Sequence, residues 1–533
     1  MNSILSKIIE LNNSGNFYKA EIELKKIYKQ NPNSFDLNKL LGMALLGQRK
    51  YNGAVKCFEK CLKINPNDYD VVLNLSFIFT KIQFYEYAIK YSQDAIAIND
   101  QRSEAYFNLA TSYFFLNNYS EAEKYTLKAI ECRGGIESEQ FLVTDDLAVL
   151  YSDILIAQER HEEFVNFTKK ILNRKYIHFL AIRLLRHDSN LINEKFISKV
   201  NDVIRISESI EHKVDRNTNL SHAHFFLAEY YAKIDKDKSE QNYLNANKYI
   251  AEMQRESLFI RQKHARNIYN FFKKFDSQEI TNKIDSNKGH GLIFVLGMPR
   301  SGTSLTESIL STAQSLKAGG EKSFFSVQLH ETINNLPELD PSSLDVDFFE
   351  DLGSRYLDFI KLHRGDNDFF VDKLPENYLL YKFINLALPA AKFIHCYRGA
   401  WDNAISLFKQ NYSTNIFYAS SFFGIATEYA NYEFLMNQWK EMDGKNAFYD
   451  VEYEKLVTEE QAIIEGLWGH CKLKGNYSPD LRKKHFAYTA SMQQITKDIY
   501  TSSVKKDDFI SQKSIFLEDL EKQRDFWRTK VFN

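Results

Sequence analysis

Cysteine, proline and glycine are all scarce in this chain, and each scarcity closes off a class of protein. Five cysteines (Cys57, Cys61, Cys132, Cys396 and Cys471) are scattered through 533 residues, with no Cys-x-x-Cys and no His pair at zinc spacing. This odd set indicates neither a disulfide framework nor a structural zinc site, and it fits a reducing compartment. Only 8 Pro and 20 Gly occur, beside a 44% hydrophobic and 26% charged composition. Collagen-like, linker-like and largely disordered chains are thereby excluded. Neither sign of charge dominates: 68 Lys+Arg face 70 Asp+Glu, for a formal net charge of −2. Nothing global draws the chain to nucleic acid or to an anionic membrane, so any anionic ligand must be held by a few placed groups. Long hydrophobic runs are missing too. The longest conspicuous one, Gly291 to Met298, falls far short of the ~20 residues that span a bilayer, and the N-terminus lacks a basic stretch followed by an apolar one. A soluble, cytoplasmic protein is expected, and at this length more than one hydrophobic core.

What the first half does have is a period. Phe17-x-x-Ala20, Tyr51-x-x-Ala54, Tyr85-x-x-Ala88 and Tyr119-x-x-Ala122 recur every 34 residues, the length of one helix-turn-helix repeat. In the same frame Leu41, Leu75 and Leu109 are followed by Gly42, Ser76 and Ala110, small residues where two helices approach closely, and Pro32 and Pro66 close the first two units. Over about residues 1–135 the segment resembles tetratricopeptide repeats. One helix pair cannot bury its own apolar face, so such units stack and leave a groove. The repeated residues are read as packing, with the groove as a candidate surface for a partner. Cys57 and Cys61, i,i+4 on one helix, are read as small core positions rather than a metal or redox pair. Residues 136–285 keep helical spacing, as from Asp145 to Leu172 and from Ser221 to Met253, but lose the register. Degenerate repeats are expected to run on to a charged connector, Lys273 to Lys288, with a domain boundary near 286.

Beyond that boundary helix pairs give way to alternating strands and helices. Leu292-Ile293-Phe294-Val295-Leu296 is a short continuous apolar run suited to a buried parallel strand, followed at once by Gly297-Met298-Pro299-Arg300-Ser301-Gly302-Thr303-Ser304 and a helical stretch to about Gln314. The two glycines match those of the phosphate loop GxxxxGK[ST], whose backbone N–H groups make a nest for phosphate. Its lysine is absent, because Thr303 stands there, while Arg300 sits inside the loop. By itself this loop reads equally well as a plain strand-to-helix turn. A second strand-like run, Ala391 to Tyr397, ends at Arg398 and leads into a helix carrying Ser406. A third, Phe369 to Asp372, ends at Lys373-Leu374-Pro375, and Glu321 follows Ala318-Gly319-Gly320. Open α/β sheets bind ligands at the carboxyl ends of their strands. Two phosphate-type sites with a separate lysine and carboxylate would suit a doubly phosphorylated nucleotide and an acceptor that loses a proton.

The combination resembles the sulfotransferases that use 3′-phosphoadenosine 5′-phosphosulfate (PAPS). More closely, Gly297-x-Pro299-Arg300-Ser301-Gly302-Thr303, Gly320-Glu321, Lys373-x-Pro375 and Arg398 with Ser406 look like the bacterial tetratricopeptide-repeat sulfotransferases and the related tyrosylprotein sulfotransferases, over about residues 286–505. The resemblance implies a multidomain chain. An N-terminal all-α tetratricopeptide-repeat solenoid (1–135) is followed by degenerate helical repeats and connector (136–285). A C-terminal α/β P-loop-like sulfotransferase domain with a parallel sheet (286–533) completes it. It also implies that Ser301, Gly302, Thr303 and Ser304, with Arg300, hold the 5′-phosphosulfate, that Arg398 and Ser406 hold the 3′-phosphate, and that Tyr453 lies along the nucleotide. Glu321 matches the general base, and Lys373, Ser491 and Lys505 match positions that steady the sulfuryl group or the nucleotide. The product would be adenosine 3′,5′-bisphosphate (PAP). Gly399 departs from the pattern, since relatives usually carry Asp after the arginine, and this bears on how Arg398 is oriented.

Physical chemistry is consistent with those roles. A sulfuryl group carries less negative charge than a phosphoryl group, so Arg300 and Lys373 are expected to stabilise the leaving oxygen without a metal. A phenol or alcohol is a poor nucleophile at neutral pH, and a positioned carboxylate removing its proton is worth ~10²–10⁴-fold. Taken singly, Glu321 reads as a solvated loop residue and Lys373 as surface charge; their joint order argues otherwise. The acceptor is expected to be a hydroxyl, first a tyrosine in an acidic peptide or protein presented from the repeat groove. Saccharides and small phenols or alcohols remain open, as does a repeat scaffold with a non-catalytic nucleotide domain. A P-loop kinase or NTPase would need the missing lysine. The aromatics Phe422, Phe423, Tyr429, Tyr432 and Phe434 are read as a helix core face, and Lys483-Lys484-His485 as a solvated basic run.

Overall fold

The computed structural model describes residues 2–29, 31–143, 145–253, 257–412, 416–483 and 508–530. They fall into two compact units, Met1–Leu180 and Ala181–Asn533.

In the first unit the 34-residue period becomes helix pairs: Asn2–Asn13 with Phe17–Tyr28, Phe35–Gly47 with Tyr51–Ile64, Tyr69–Lys81 with Tyr85–Ile98, and Ser103–Phe115 with Tyr119–Cys132. Ala20, Ala54, Ala88 and Ala122 are fully buried, as the repeat requires. Space explains the glycine after Leu41: a Cβ on Gly42 would meet the Phe58 ring at 2.7 Å. Every pair turns through one residue at positive φ, namely Gly15, Arg49, Gln83 and Asn117. The next N–H then bonds back across the turn, Asn16 to Leu11, Lys50 to Leu45, Phe84 to Phe79 and Asn118 to Tyr113, which satisfies carbonyls left open at the helix end. Glu159 repeats this at φ 58°, with Arg160 bonding to Leu155. Asp146–Ala157 and His161–Arg174 are thus a fifth pair on the same turn. The sequence hid it because a longer connection shifts the register and Phe164 stands where the other units have alanine.

The helices Glu194–Glu208, Lys213–Tyr231, Lys236–Met253 and Ser257–Lys274 lie in the second unit with the sheet. Asn247 Nδ2 donates to the Phe408 carbonyl at 2.8 Å. Phe272 packs edge-on to Phe383 at 4.8 Å, and Tyr269 to Phe434 at 4.9 Å. The composition change near 286 therefore marks a switch of secondary structure inside one packed unit.

Five parallel strands, β1 (Leu292–Gly297), β2 (Leu316–Ala318), β3 (Phe369–Asp372), β4 (Lys392–Tyr397) and β5 (Phe448–Glu452), form one sheet in the order β2-β3-β1-β4-β5. All six β1 residues are buried, which is why that strand reads as an unbroken apolar run. On one face Ile293, Val295, Val371, Ile394 and Val451 share a core with Ile309, Leu456 and Leu467. On the other, aromatics dominate: Phe294 stacks on Phe393 at 5.5 Å, and Tyr381 packs tilted against Phe448 at 4.5 Å. The helix Phe422–Asp443 is core: Phe422, Tyr429 and Tyr432 are buried and Phe434 stacks on Trp527 at 4.4 Å, whereas Phe423 is exposed. No helix among the described residues is long and apolar enough to cross a membrane. Cys57, Cys61, Cys396 and Cys471 are free and buried, and burial pushes the Cys57 and Cys61 thiols up.

Candidate active site

A parallel sheet sends every strand's carboxyl end to one edge, and here each of the five delivers a polar group just beyond it. Arg300 follows β1, Glu321 follows β2, Lys373 follows β3, Arg398 follows β4 and Tyr453 follows β5. β1 is the central strand, so its loop lies where the strand order diverges to either side, the usual crevice of such sheets.

The loop after β1 is shaped by backbone conformation. Gly297, Arg300 and Gly302 all take positive φ, at 148°, 68° and 98°, and for the arginine this is a costly conformation kept at a site. Two glycines also lack room for a side chain: a Cβ on Gly297 would lie 2.0 Å from the Cys396 carbonyl oxygen, and one on Gly302 2.7 Å from the Tyr453 ring. The Ser301 hydroxyl donates to the Met298 carbonyl at 2.7 Å and to that of Cys396 at 3.0 Å, which ties the loop to β4. Thr303 and Ser304 open the helix Thr303–Leu310 and are buried.

At the end of β4, Arg398 is buried with its guanidinium over the Tyr453 ring at 4.5 Å, and the Tyr429 hydroxyl donates to its carbonyl at 2.6 Å. Ser406 lies on the helix Ala400–Phe408 and accepts from Arg300 Nε at 3.1 Å, so the two phosphate-type motifs touch. Asn403 on the same helix donates to the Pro299 carbonyl at 3.0 Å. Burial pushes the Arg300 guanidinium below its usual range, opposed by Tyr412 and aided by Arg398 and Arg186. Cations gathered this closely are repaid when an anion binds among them. Gly399 has its own explanation. Its N–H donates to Glu454 Oε1 at 3.0 Å, so a carboxylate reaches this helix N-cap from the element after β5.

On the other side Lys373 is fully buried, with Nζ on Glu321 Oε1 at 2.6 Å, while the Glu321 side chain keeps 47% of its exposure. The pair therefore offers a fixed carboxylate with one face open to an incoming hydroxyl, beside an ammonium with no access to bulk water. Among the residues expected from the motifs, Arg300, Ser301, Gly302, Thr303, Ser304, Glu321, Lys373, Arg398, Ser406 and Tyr453 all gather at this edge. Ser491 and Lys505, like Lys484 and His485, lie outside the described residues. No group of three or more His, Cys, Asp or Glu that could hold a metal ion occurs among the described residues.

Sequence reasoning missed a buried layer of charge beneath the pair. Glu307, on the helix after the loop, is fully buried, and Lys322 and Asp372 are buried too. Burial pushes the Asp372 carboxyl up to about 7, and the Tyr356 hydroxyl at 2.8 Å and Lys322 pull it back. Burial likewise pushes the Lys322 ammonium down to about 8. The available signal was a single glutamate in a short helix, which a sequence presents as an ordinary exposed residue.

Residues 293–477 match the family model described as "Sulfotransferase family", and residues 37–68 and 103–133 match tetratricopeptide-repeat models. These matches support a sulfotransferase domain joined to tetratricopeptide repeats. An uncharacterized protein of Aquifex aeolicus (strain VF5) is 30% identical over 228 residues, which are 40% of this chain and 30% of that protein. The chain thus spans under a third of that relative's length. Among solved structures, a crystal structure of MamA is 21% identical and covers 31% of this chain and 91% of its own, with TM-score 0.28. MamA 41-end from Desulfovibrio magneticus RS-1 is 17% identical over 32% of this chain and 93% of its own, with TM-score 0.29.

Proposed function

We propose that this chain moves the sulfuryl group of PAPS to a hydroxyl acceptor, a protein tyrosine first among them, with Glu321 as general base. The observation that carries the reading is the Glu321–Lys373 pair at 2.6 Å, on the sheet edge that also gathers Arg300 and Arg398. The loop fits a nucleotide phosphate: the backbone at Gly302 has no room for a side chain beside Tyr453, and two guanidinium groups stand at the same crevice. In this reading Ser301 to Ser304 and Arg300 hold the 5′-phosphosulfate, Arg398 and Ser406 the 3′-phosphate, and Tyr453 the nucleotide's flank, with Ser491 and Lys505 as further contacts. The acceptor proton passes to Glu321 as the new O–S bond forms. The bond from sulfur to the 5′-phosphate oxygen breaks, and the charge left on that oxygen meets Arg300 and Lys373.

The tyrosine acceptor rests on the motif resemblance and on the repeats, which supply a surface able to present a polypeptide. Two measurements test the whole. Calorimetric titration should show PAP binding and no comparable binding of ATP, and hydrolysis of ATP would overturn the reading. Labelled PAPS should transfer its label to the tyrosine of an acidic peptide rather than to a saccharide or a small phenol; transfer to either of those instead would replace the acceptor and leave the chemistry standing.

A further inference from the structure

Glutamate is rarely buried in full, because removing a carboxylate from water costs several kcal/mol unless its oxygens are satisfied. Glu307 has no exposed surface, sits one turn into the helix that starts at Thr303, and belongs to none of the binding motifs. Its Oε1 accepts the Gly320 N–H at 2.7 Å, while Oε2 is buried with no hydrogen-bond partner. Gly320 is the residue before Glu321, and its other backbone group is also held, since the Lys373 N–H donates to the Gly320 carbonyl at 3.0 Å. One residue earlier, the Gly319 N–H donates to the Val371 carbonyl at 2.8 Å. Gly320 itself stands at φ 68° with no atom within 4 Å of an added Cβ, whereas a Cβ on Gly319 would lie 2.3 Å from the Phe370 ring, so packing fixes the first glycine of the turn and leaves the second to its hydrogen bonds. Of the two hydrogen bonds on Gly320, the one its N–H donates is accepted by Glu307.

We propose that Glu307 is a positioning residue: its carboxyl links the helix of the phosphate loop to the Gly319–Gly320 turn and so aims Glu321 at the acceptor. The inference rests on Glu321 being the general base. Glu307 does not stand among the groups assigned to the donor, so its loss should spare donor affinity. Burial raises its carboxyl pKa, with Lys373 pulling it back, and a carboxyl biased toward the neutral form is well imitated by an amide, whose oxygen can accept the same N–H. Other buried charges nearby are Lys322 and Asp372; neither has a hydrogen bond from its side chain to the Gly320 peptide among the described residues.

The test compares Glu307→Gln, Glu307→Leu and Glu307→Asp in the full chain. Deuterium exchange of the 318–323 segment should speed up on the order of 10-fold in the Leu and Asp variants, which remove or withdraw the acceptor, and stay near wild type in Gln. Turnover with the acidic tyrosine peptide, and release of labelled sulfate from PAPS to water without it, should fall on the order of 10-fold in Leu and Asp and recover in Gln. PAP dissociation constants should stay within about 2-fold throughout. If the Leu variant does not fold, Asp must still show the same split. Unchanged exchange at 318–323 in the variants that fold, or a turnover loss matched by an equal loss of PAP affinity, overturns the proposal. A Glu321→Gln variant separates the two levels. With that variant inactive and the Leu and Asp variants fully active, the positioning role alone falls; with wild-type turnover in Glu321→Gln, the base falls and the positioning role with it.

Discussion

Glu321 shows how one side chain depends on neighbours distant in sequence. It is half exposed, yet its carboxylate is pinned by an ammonium that is wholly buried. With Glu321 as the proposed general base, replacing it by Gln keeps size and hydrogen bonding and would remove the proton acceptor, so kcat should fall ~10²–10⁴-fold while PAP affinity stays near wild type. Paired calorimetry and turnover on the same preparation check this. Arg398 and Ser406 belong to the other half of the crevice and, in the proposed reading, hold the 3′-phosphate, a contact that is the same before and during transfer. Arg398→Ala and Ser406→Ala should therefore weaken PAP binding while leaving the thermal unfolding cooperative. Removing Ser406 also takes the acceptor from Arg300 Nε, so its effect should exceed that of a lone hydroxyl contact, measured as the ratio of dissociation constants.

At the scale of the element, β3 combines two demands in adjacent residues. Asp372 ends the strand among buried groups, and Lys373 turns to the site. The carboxyl of Asp372 lies at about 7 in the fold against 3.8 when unfolded. A group raised in this way lends stability that is full below pH 4 and is lost as pH climbs through 7, because only the folded chain keeps the proton in that window. The wild type should thus lose stability relative to Asp372→Asn between pH 4 and 7, by at most about 4 kcal/mol. Melting curves of both proteins across that range measure it, and parallel curves would refute it. The turns of the repeat helices teach a related lesson. Gly15 advertises a left-handed turn, whereas Arg49, Gln83, Asn117 and Glu159 adopt it without being glycine, so only the first was legible from residue type.

For the whole molecule, the described site residues all lie within Ala181–Asn533. A substitution that damages the repeats should accordingly leave donor affinity alone. Gly42→Val places side-chain atoms against Phe58, where even a Cβ would lie at 2.7 Å. It should destabilise the repeats by ~1–3 kcal/mol, seen as an earlier thermal transition, with an unchanged PAP dissociation constant. Charge balance at this scale matters to chemistry as well. With a net charge of only −2, the anionic donor proposed above would have to be held by placed cations, Arg300, Arg398 and Lys373. Turnover should consequently survive EDTA, and activity lost to EDTA and restored by Mg²⁺ would refute that account.

Residue order alone specifies what is local or collinear: a 34-residue helix period, an apolar run that must be a buried strand, a glycine-bounded loop, and the order of motifs that pointed to a parallel α/β domain. These follow from side-chain periodicity and backbone sterics, which act over a few residues. Which distant groups meet is settled by the folded chain: Lys373 with Glu321 across 52 positions, Glu454 with Gly399 across 55, and Arg300 with Ser406 across 106. Such contacts depend on strand order and on which strands are neighbours, and no local pattern encodes either. The same holds for Glu307, whose letter in the sequence is that of an exposed residue. Its burial, and its bond to Gly320, arise only when the helix after β1 packs beside the turn after β2.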